Sequence, residues 1–529
     1  MTRATLRLLP FLLLGFVALP ALAREPAAPA IPENDAARAA LPAAAKERLI
    51  QRYGLKPVAL RREFVAQHRT AYGCEIPLER RPHVVGDQQQ SGRCWLFAME
   101  HVLRSKVAAR GGEPPPALSP SFLNYYALRS KGRRMLARVA VREGHPDLGY
   151  AAENLGEGGW YPLAVDLVRK YGLVPEQAMP TTRDGERSGV DSGVVLLQLK
   201  RIISAAYRDV AAINGSDRAD KSRARLAVLR EYEARIDEFL RTTIGVPPEE
   251  FVYKGRRYTP QSFVSQGLGL GPQDLDYVML SSNPALAQGA RYRYTVAEGA
   301  TQFDVCNVAE NVVRDAMVAT LRRGEAICFS ANVSPGNPHV VPDKNVPRGA
   351  LGILSLEAFR YAPYVPEAPL ARAERMRAGF APVNHAMVIT GYDPGAEPGS
   401  VRKWKVDNSW GADAGDQGHF HMYDDFFREY GGTVAVPRAM LPEAVLAQLM
   451  AEPPRNDQPV RAWTPELKEK VAVRLATEEL TLSDAIRKYR LPRATLLGWK
   501  QAALEALTQA LRPGAPPAPV RPAPLAARR

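Results

Sequence analysis

The sequence predicts an α+β protein, because helical and β-prone stretches both occur in it. An apolar helix is expected to begin at Cys94, where a loop of small and polar residues ends. Between 195 and 245, apolar residues recur at helical spacing among many charges, which predicts a helical pair. The stretches 383–392 and 404–408 are β-prone and flank the turn signal Asp393-Pro394-Gly395, so they predict a hairpin.

Length and composition are consistent with an enzyme of one large domain with extensions. The chain has 529 residues, of which 46% are hydrophobic and 24% charged, enough to bury a large core. Its formal net charge of +14 favours polyanions in general. The sequence has neither metal-ligand spacing nor a glycine-rich phosphate loop, so no metal and no cofactor is predicted.

The segment 88–98 places Cys94 at the first turn of the predicted helix. Unpaired N–H groups and the helix dipole at that position favour a thiolate, the nucleophilic form of cysteine. The Gln88 side chain, six residues earlier, together with the Cys94 N–H, supplies two donors for an oxyanion. The alternative is a buried cysteine at a helix start.

His385 and Asn408 are the candidates that complete a catalytic set. A thiolate nucleophile needs an imidazole base and a group that orients the base. The predicted hairpin brings Asn408, at the end of its second strand, beside His385 at the start of its first, and Trp410 then shields their hydrogen bond from water. Taken singly, a residue such as His385 is more often a core histidine, and one such as Asn408 is more often a turn former.

These residues resemble the papain-like cysteine proteases, and within them the bleomycin hydrolase or aminopeptidase C branch. Gln88, Cys94, His385 and Asn408 match the family's oxyanion glutamine, nucleophile, base and orienting residue, and the stretch 91–98 resembles the branch's cysteine signature. The likeness covers roughly 45–463. Further matching segments are Gly158-Gly159-Trp160, 170–175, 276–280 and 441–446.

The resemblance implies a papain-like two-lobed fold, with a helical lobe and an antiparallel β lobe. It implies that the helical insertion near 195–245 helps to build a homohexamer, although solvated helices without a function are the alternative. It also implies that Gly158 and Gly159 lie along the peptide substrate, since glycine lets a backbone approach closely; a simple turn is the alternative.

The activity implied is hydrolysis of peptide bonds, as an aminopeptidase. In bleomycin hydrolases the chain ends soon after the segment that matches 460–463, and that final arm lies in the cleft and admits only a substrate's N-terminus. Here the chain continues to residue 529. A papain-like endopeptidase is therefore an alternative, and a DNA-binding or scaffolding protein is a second.

The N-terminus has the pattern of a secretory signal peptide over 1–23. Arg3 and Arg7 precede an apolar run, and Ala21-Leu22-Ala23 has the form of a cleavage site. We expect export to a periplasm and no membrane association of the mature form; an uncleaved anchor is the alternative. Residues 24–45 are rich in Ala and Pro and are predicted to be a linker, followed by a peptidase domain over 46–455.

The four cysteines do not form a disulfide framework. With Cys94 as the nucleophile, at most one intramolecular bridge is left among Cys74, Cys306 and Cys328. Cys328 lies in an apolar run that predicts a buried strand and an inert thiol. A Cys74–Cys306 bridge therefore stays open by exclusion alone.

The segment 463–510 is predicted to form three short helices and resembles the helix-turn-helix of transposase-type proteins. From residue 463 onward, Lys and Arg outnumber Asp and Glu two to one. Nucleic-acid binding is one interpretation of this extension, and a small docking module or a folded relic is the other. Residues 511–529, rich in Pro and Ala, are predicted to be disordered.

Overall fold

The computed structural model describes most of the chain between residues 30 and 510. The described residues are 30–80, 85–111, 113–141, 151–152, 155–181, 192–213, 218–295, 302–334, 336–341, 343–367, 370–379, 382–456, 471–472, 475–476, 482, 485 and 493–510. The predicted signal peptide and the predicted tail 511–529 lie outside them. None of the helices in this part of the chain is both long and apolar enough to cross a membrane.

The chain divides into two compact units. The first comprises Met1–Arg291 and Thr295–Glu452, and the second comprises Tyr292–Tyr294 and Pro453–Arg529. Helices and strands both occur in the first unit, so the α+β class predicted from the sequence is confirmed.

The helices precede most of the strands in chain order. They are α1 (Asp35–Ala39), α2 (Ala43–Tyr53), α3 (Leu55–Ala59), α4 (Arg62–Gln67), α5 (Cys94–Ala109), α6 (Pro120–Val141), α7 (Tyr161–Tyr171), α8 (Ser192–Ala211), α9 (Arg218–Thr243), α10 (Pro260–Ser262), α11 (Glu310–Arg322), α12 (Arg372–Ala378), α13 (Asp424–Tyr430), α14 (Glu443–Ala451) and α15 (Arg493–Ala510).

The strands lie mainly in the second half of the chain. They are β1 (Cys74–Glu75), β2 (Phe251–Tyr253), β3 (Arg256–Tyr258), β4 (Tyr277–Ser281), β5 (Ala290–Thr295), β6 (Gln302–Asn307), β7 (Ile327–Ala331), β8 (Ile353–Leu354), β9 (His385–Pro394), β10 (Val401–Asp407), β11 (His419–Tyr423), β12 (Gly431–Pro437) and β13 (Arg455–Asn456).

The main sheet of the first unit has the order β6-β4-β12-β7-β9-β10-β11-β8, and β1 pairs with β9. Strands β9 and β10 form the antiparallel hairpin expected from the sequence, with Asp407 opposite Val388. This register places the residue that follows β10 close to the residue that begins β9. Neighbouring pairs such as β7 with β9 and β12 with β4 are also antiparallel. The pairs β4 with β6 and β11 with β8 are parallel, so the sheet is mixed and not the purely antiparallel one predicted.

Helix α5 runs through the interior of the first unit and packs against β9. It is buried on nearly all sides, as its apolar sequence requires, and Trp95, Leu96 and Met99 have no exposed surface. A helix enclosed in this way holds its first residue, Cys94, in a fixed position relative to the sheet.

The helical insertion consists of α8 and α9, which pack against each other and against α6. Their inner faces bury Leu199, Ile203 and Ile236 completely. Leu197 and Leu226, which belong to the apolar pattern in the sequence, are instead half exposed, at 49% and 50%.

The predicted linker 24–45 differs from the structure in its second half. Helix α1 lies within it, because the Asn34 side chain accepts the Ala37 N–H at 2.7 Å and so caps its first turn. Arg38 of this helix is buried and donates to the carbonyl of Leu60 at 2.7 Å and to the Tyr364 hydroxyl at 3.2 Å. The Ala- and Pro-rich composition predicts a linker. It contains no sign of the partners of Arg38, because Leu60 and Tyr364 lie elsewhere in the sequence.

All four cysteines are free thiols, so the structure does not contain the Cys74–Cys306 bridge that the sequence left open. Cys328 lies in β7 and is buried, as expected from its apolar surroundings.

Within the second unit, β13 pairs in parallel with Tyr292 and Arg293 of β5. The described residues beyond 470 form a small apolar core of Val471, Leu475, Ala485 and Leu496, against which Leu482 and Trp499 pack. Helix α15 covers the third helix of the predicted extension, and most of the first two helices lies outside the described residues.

Candidate active site

The nucleophile candidate Cys94 is the first residue of α5, as the sequence predicts. Arg93 precedes it in a non-helical conformation and makes no side-chain cap of the helix. The N–H groups of Cys94 and Trp95 belong to the first turn, which has no helical acceptors for them. Both N–H groups, and that of Ala386 on β9, lie close enough to the Cys94 thiol to lower its pKa.

His385 and Asn408 are hydrogen-bonded to each other across the β9–β10 hairpin. The distance from His385 Nε2 to Asn408 Oδ1 is 2.7 Å, and both side chains are buried. An amide oxygen only accepts, so Nε2 carries the ring proton and Nδ1 is the basic nitrogen of the neutral ring. Asn408 Oδ1 also accepts the Ser409 N–H at 2.8 Å, which fixes the amide's orientation.

Trp410 stacks on His385, with ring centroids 4.7 Å apart and an interplanar angle of 29°. Stacking at this distance covers one face of the imidazole and keeps water from the bond to Asn408. The structure therefore places Trp410 where the sequence predicts a shielding residue.

Gln88 is held against the segment that follows β10. Its backbone N–H donates to the Ser409 carbonyl at 2.7 Å, and its side-chain oxygen accepts the Ser409 hydroxyl at 2.6 Å. Its amide nitrogen donates one hydrogen to the Ser91 carbonyl, and the second hydrogen of that nitrogen is available for an oxyanion. Sequence reasoning missed Ser409, although it stands directly between Asn408 and Trp410.

One cavity of about 370 Å³ contains most of the predicted site residues. Gln88, Cys94, Gly158, Gly159 and His385 all line it, and Asn408 lies behind His385. The other lining residues are mostly apolar or small: Ser91, Gly92, Trp160, Tyr161, Met279, Cys328, Phe329, Ser330, Val383, Asn384, Ala386 and Thr433. Among the described residues that line the cavity there is no Asp, Glu, Lys or Arg.

The N–H groups at the helix start lower the pKa of the Cys94 thiol, as the sequence predicts, but burial has the larger and opposite effect. Burial raises the pKa of the Cys94 thiol, and the N–H groups of Ala386 and Trp95 offset this only in part. The Glu157 carboxylate raises the pKa further. Desolvation of the charged form outweighs the dipole and the nearby donors because the thiol lies inside the cavity.

Burial also lowers the pKa of His385, to about 4, against the opposing effect of its hydrogen bond to Asn408. Burial therefore disfavours the charged form of both groups. Cys94 and His385 line the same cavity, so transfer of a proton from the thiol to Nδ1 of His385 would create two opposite charges that attract each other. The arrangement supports an attack in which His385 acts as a general base.

A second buried cluster of ionisable groups lies behind the site. His101 Nδ1 is 2.9 Å from the Asp407 carboxylate and Nε2 is 3.4 Å from that of Glu79, and Lys405 Nζ is 3.1 Å from Glu79. Glu79, Asp407 and His419 have ligand atoms close enough together to hold a metal ion. Because His101 and Lys405 already compensate both carboxylates, this cluster does not indicate a metal site.

The sequence matches the model of the Peptidase C1-like family over residues 34–465. The chain belongs to this family. The match confirms the resemblance seen in the sequence, whereas the transposase-like character of the C-terminal extension stays a prediction.

Curated relatives carry the names of aminopeptidases. Aminopeptidase W of Lactobacillus delbrueckii subsp. lactis is 27% identical over 389 residues, which is 70% of this chain and 84% of the relative. Aminopeptidase C of Lactococcus lactis subsp. cremoris is 26% identical over 410 residues, which is 74% of this chain and 88% of the relative.

The crystal structure of PepW from Lactobacillus rhamnosis has the same fold. It aligns with a TM-score of 0.63 and 23% identity, and the alignment covers 79% of this chain and 94% of that structure. The papain-like fold class predicted from the sequence is thus confirmed. Because the family is one of cysteine peptidases, the prediction that this chain is an enzyme of that class is confirmed as well.

Proposed function

We propose that this protein is a cysteine aminopeptidase that hydrolyses peptide bonds through Cys94, His385 and Asn408. The observation that carries the proposal is the geometry at one cavity: the thiol of Cys94 at a helix start, and His385 oriented by Asn408 at 2.7 Å. The names of the relatives support the aminopeptidase assignment.

In the reaction we propose, His385 Nδ1 takes the thiol proton while Cys94 sulfur forms a bond to the substrate's carbonyl carbon. The carbonyl oxygen becomes an oxyanion, which accepts hydrogen bonds from the Gln88 amide and the Cys94 N–H. His385 then returns the proton to the leaving amine as the C–N bond breaks. Water, deprotonated by His385, attacks the resulting thioester, and the acid leaves as the thiol re-forms.

The lining of the cavity favours a peptide with an apolar side chain. Trp160, Met279, Phe329 and Val383 offer apolar surface, and Gly158 and Gly159 let a substrate backbone approach. The described lining holds no carboxylate for a substrate's terminal ammonium. Selection for a free N-terminus therefore has to come from outside these residues, and this keeps an endopeptidase as the alternative.

The test is cleavage of matched peptides with free and with acetylated N-termini by the full chain. An aminopeptidase releases the first residue of the free peptide and leaves the acetylated peptide intact. If the acetylated peptide is cut internally at a comparable kcat/KM, the protein is an endopeptidase. The same assay on a chain truncated after Trp463 shows whether the extension controls this selection.

We further propose that the protein assembles as a homohexamer. The exposed apolar side chains Val194, Leu197 and Leu226 on α8 and α9 support this, because they leave 52%, 49% and 50% of their surface to solvent. Analytical ultracentrifugation of wild type and of the double variant Leu197→Glu/Leu226→Glu tests it. A hexamer that persists in the double variant would show that these helices are not the interface.

We propose that the protein is exported and that residues 1–23 are removed during export. N-terminal sequencing of the mature protein tests the cleavage.

For the C-terminal segment 463–529 we propose a docking role. The apolar core around Val471 and Leu496 supports a folded extension. If the full chain instead binds duplex DNA with an affinity that falls steeply with salt, nucleic-acid binding is favoured.

A further inference from the structure

Glu157 directly precedes the glycine pair of the cavity wall, yet its side chain points away from the cavity lining and is buried, with 8% exposed. Its Oε2 accepts the Gly92 N–H at 2.6 Å. Gly92 belongs to the other wall, the segment that runs from Gln88 to Cys94. One carboxylate therefore joins the wall that holds the oxyanion donors to the wall along which the substrate lies.

The second oxygen of Glu157 is anchored in the helices beneath. Oε1 accepts from Asn124 Nδ2 at 3.2 Å on α6 and from Ser192 Oγ at 3.1 Å at the start of α8. The Arg93 guanidinium, also buried, lies 3.9 Å from the same oxygen and compensates its charge. With donors on both oxygens, the carboxylate is held in one orientation.

Lys131 of α6 fixes the same wall from below. Its buried ammonium donates to the carbonyls of Gly156 at 2.7 Å and Gly158 at 2.6 Å. The carbonyl of Gly158 is thereby directed toward α6, while both glycines of the pair line the cavity. A Cβ on Gly159 would lie 2.5 Å from the Trp95 ring, so this wall fits closely against α5.

The two walls also approach each other too closely for larger side chains. A Cβ on Gly92 would lie 3.2 Å from Cβ of Glu157 and 3.3 Å from the Gly158 nitrogen. Burial of a carboxylate costs free energy even when it is paired, and apolar packing would stabilise the fold as well. Unlike apolar packing, the hydrogen bond from the Gly92 N–H to Glu157 fixes the distance between the two cavity walls.

We propose that Glu157 is a positioning residue that sets the distance between the oxyanion donors and the substrate-binding glycines. The proposal rests on the proposed peptidase function. Its charge works against the nucleophile, because the Glu157 carboxylate raises the pKa of the Cys94 thiol. The position of Glu157 therefore favours catalysis, whereas its charge disfavours the Cys94 thiolate. Substitutions at 157 can separate these two effects.

The decisive pair of variants is Glu157→Asp and Glu157→Gln. Glu157→Asp keeps the charge but is one methylene too short to reach Gly92, and we expect kcat/KM to fall about 10-fold to 100-fold, a loss typical of misplaced catalytic groups. Glu157→Gln keeps the length, and its NH₂ group faces the donors of Asn124 and Ser192. We expect a similar loss, together with iodoacetamide alkylation of Cys94 at lower pH than in wild type.

Glu176→Gln is the matched control. Glu176 is a largely buried carboxylate whose charge also acts on Arg93, but it binds the backbone and hydroxyl of Thr181 and neither cavity wall. We expect its kcat/KM to stay within about twofold of wild type. Full activity of Glu157→Asp, or an equal loss in Glu176→Gln, would overturn the proposal.

Thermal unfolding shows whether each variant folds. If a Glu157 variant does not fold, Ser192→Ala is assayed in its place. That variant removes one donor to Glu157 and introduces no charge, so we expect kcat/KM to fall about fivefold, the equivalent of one hydrogen bond, with an unchanged pH profile of alkylation. Unchanged activity of Ser192→Ala would contradict the positioning role. An inactive wild-type protein would instead refute the peptidase function itself.

Discussion

Two buried histidines, His385 and His101, bind consecutive residues of the chain, Asn408 and Asp407, and their pKa values shift in opposite directions. His385 faces an amide oxygen and an indole ring, and burial lowers its pKa to about 4. Burial acts in the same direction on His101, but the carboxylates of Asp407 and Glu79 outweigh it and raise its pKa to about 10. The difference shows that the groups bound to a buried imidazole, and not the extent of its burial, decide the direction of its pKa shift.

The ion pair of His101 with Asp407 also links the elements that carry the candidate catalytic residues. His101 lies two turns after Cys94 on α5, and Asp407 directly precedes Asn408 at the end of β10. Their ion pair therefore joins the helix of the nucleophile to the strand of the orienting residue. In the function that we propose, Cys94 and His385 perform the chemistry, and the ion pair of His101 with Asp407 holds α5 against β10.

The largest expected effect is on kcat, which substitution of His385 should lower far more than substitution of His101. We expect His385→Ala to lower kcat by about 10³-fold to 10⁴-fold, because the thiol then has no base, while the free energy of unfolding changes little. Steady-state hydrolysis of an aminoacyl amide measures this. A loss smaller than tenfold would show that another group takes the thiol proton.

His101→Ala should have the opposite profile, with its main effect on stability. The substitution leaves the Asp407 and Glu79 carboxylates buried without their imidazolium, which we expect to cost about 3–5 kcal/mol. Denaturant unfolding measures the change, with His385→Ala as the control. If His101→Ala unfolds at the same denaturant concentration as wild type, the ion pair does not hold α5 to β10.

Asn408→Asp should make His385 resemble His101. A carboxylate at 408 favours the imidazolium, so the pKa of His385 rises above about 4 and the base is lost at higher pH. We expect the acid limb of the kcat/KM profile to move up by about one pH unit or more. Asn408→Ala serves as the control, since it removes the hydrogen bond without adding charge and should not move the limb upward.

The smallest effect is a pH dependence of stability that His101 confers. Its pKa in the folded protein, about 10, exceeds the ordinary value of 6.5. The stabilisation is therefore complete below about pH 6.5 and is lost as the pH rises toward 10. We expect the unfolding free energy of wild type to fall over this range more steeply than that of His101→Gln. Parallel curves for the two proteins would contradict the ion pair.

The positions of the candidate catalytic residues were predictable because their signals are local. The loop-to-helix transition at Cys94 and the strand ends at His385 and Asn408 each depend on a short stretch of sequence. The raised pKa of the Cys94 thiol was not predictable in the same way, because its burial depends on segments that are distant in sequence. Helix α1 was not predicted for a related reason. Its residue Arg38 binds Leu60 and Tyr364, which lie outside the stretch that forms the helix.

The role of Glu157 and the pairing of His101 with Asp407 leave no sequence signal either. Glu157 reaches Gly92 across 65 positions of the chain, and nothing in its neighbours other than Gly158-Gly159 points to the cavity. Such pairs become visible only once the fold brings their elements together.

The central claim is that Cys94 is the nucleophile, and the most direct measurement compares Cys94→Ala with Cys328→Ala. Cys328 lines the same cavity and is buried, and burial together with the nearby Cys94 raises its pKa, so it is the matched thiol. We predict that Cys94→Ala loses hydrolysis of aminoacyl amides by at least about 10³-fold. Cys328→Ala should remain active, and iodoacetamide should inactivate it in step with the formation of an adduct on Cys94. Hydrolysis by Cys94→Ala at the rate of wild type would contradict the account.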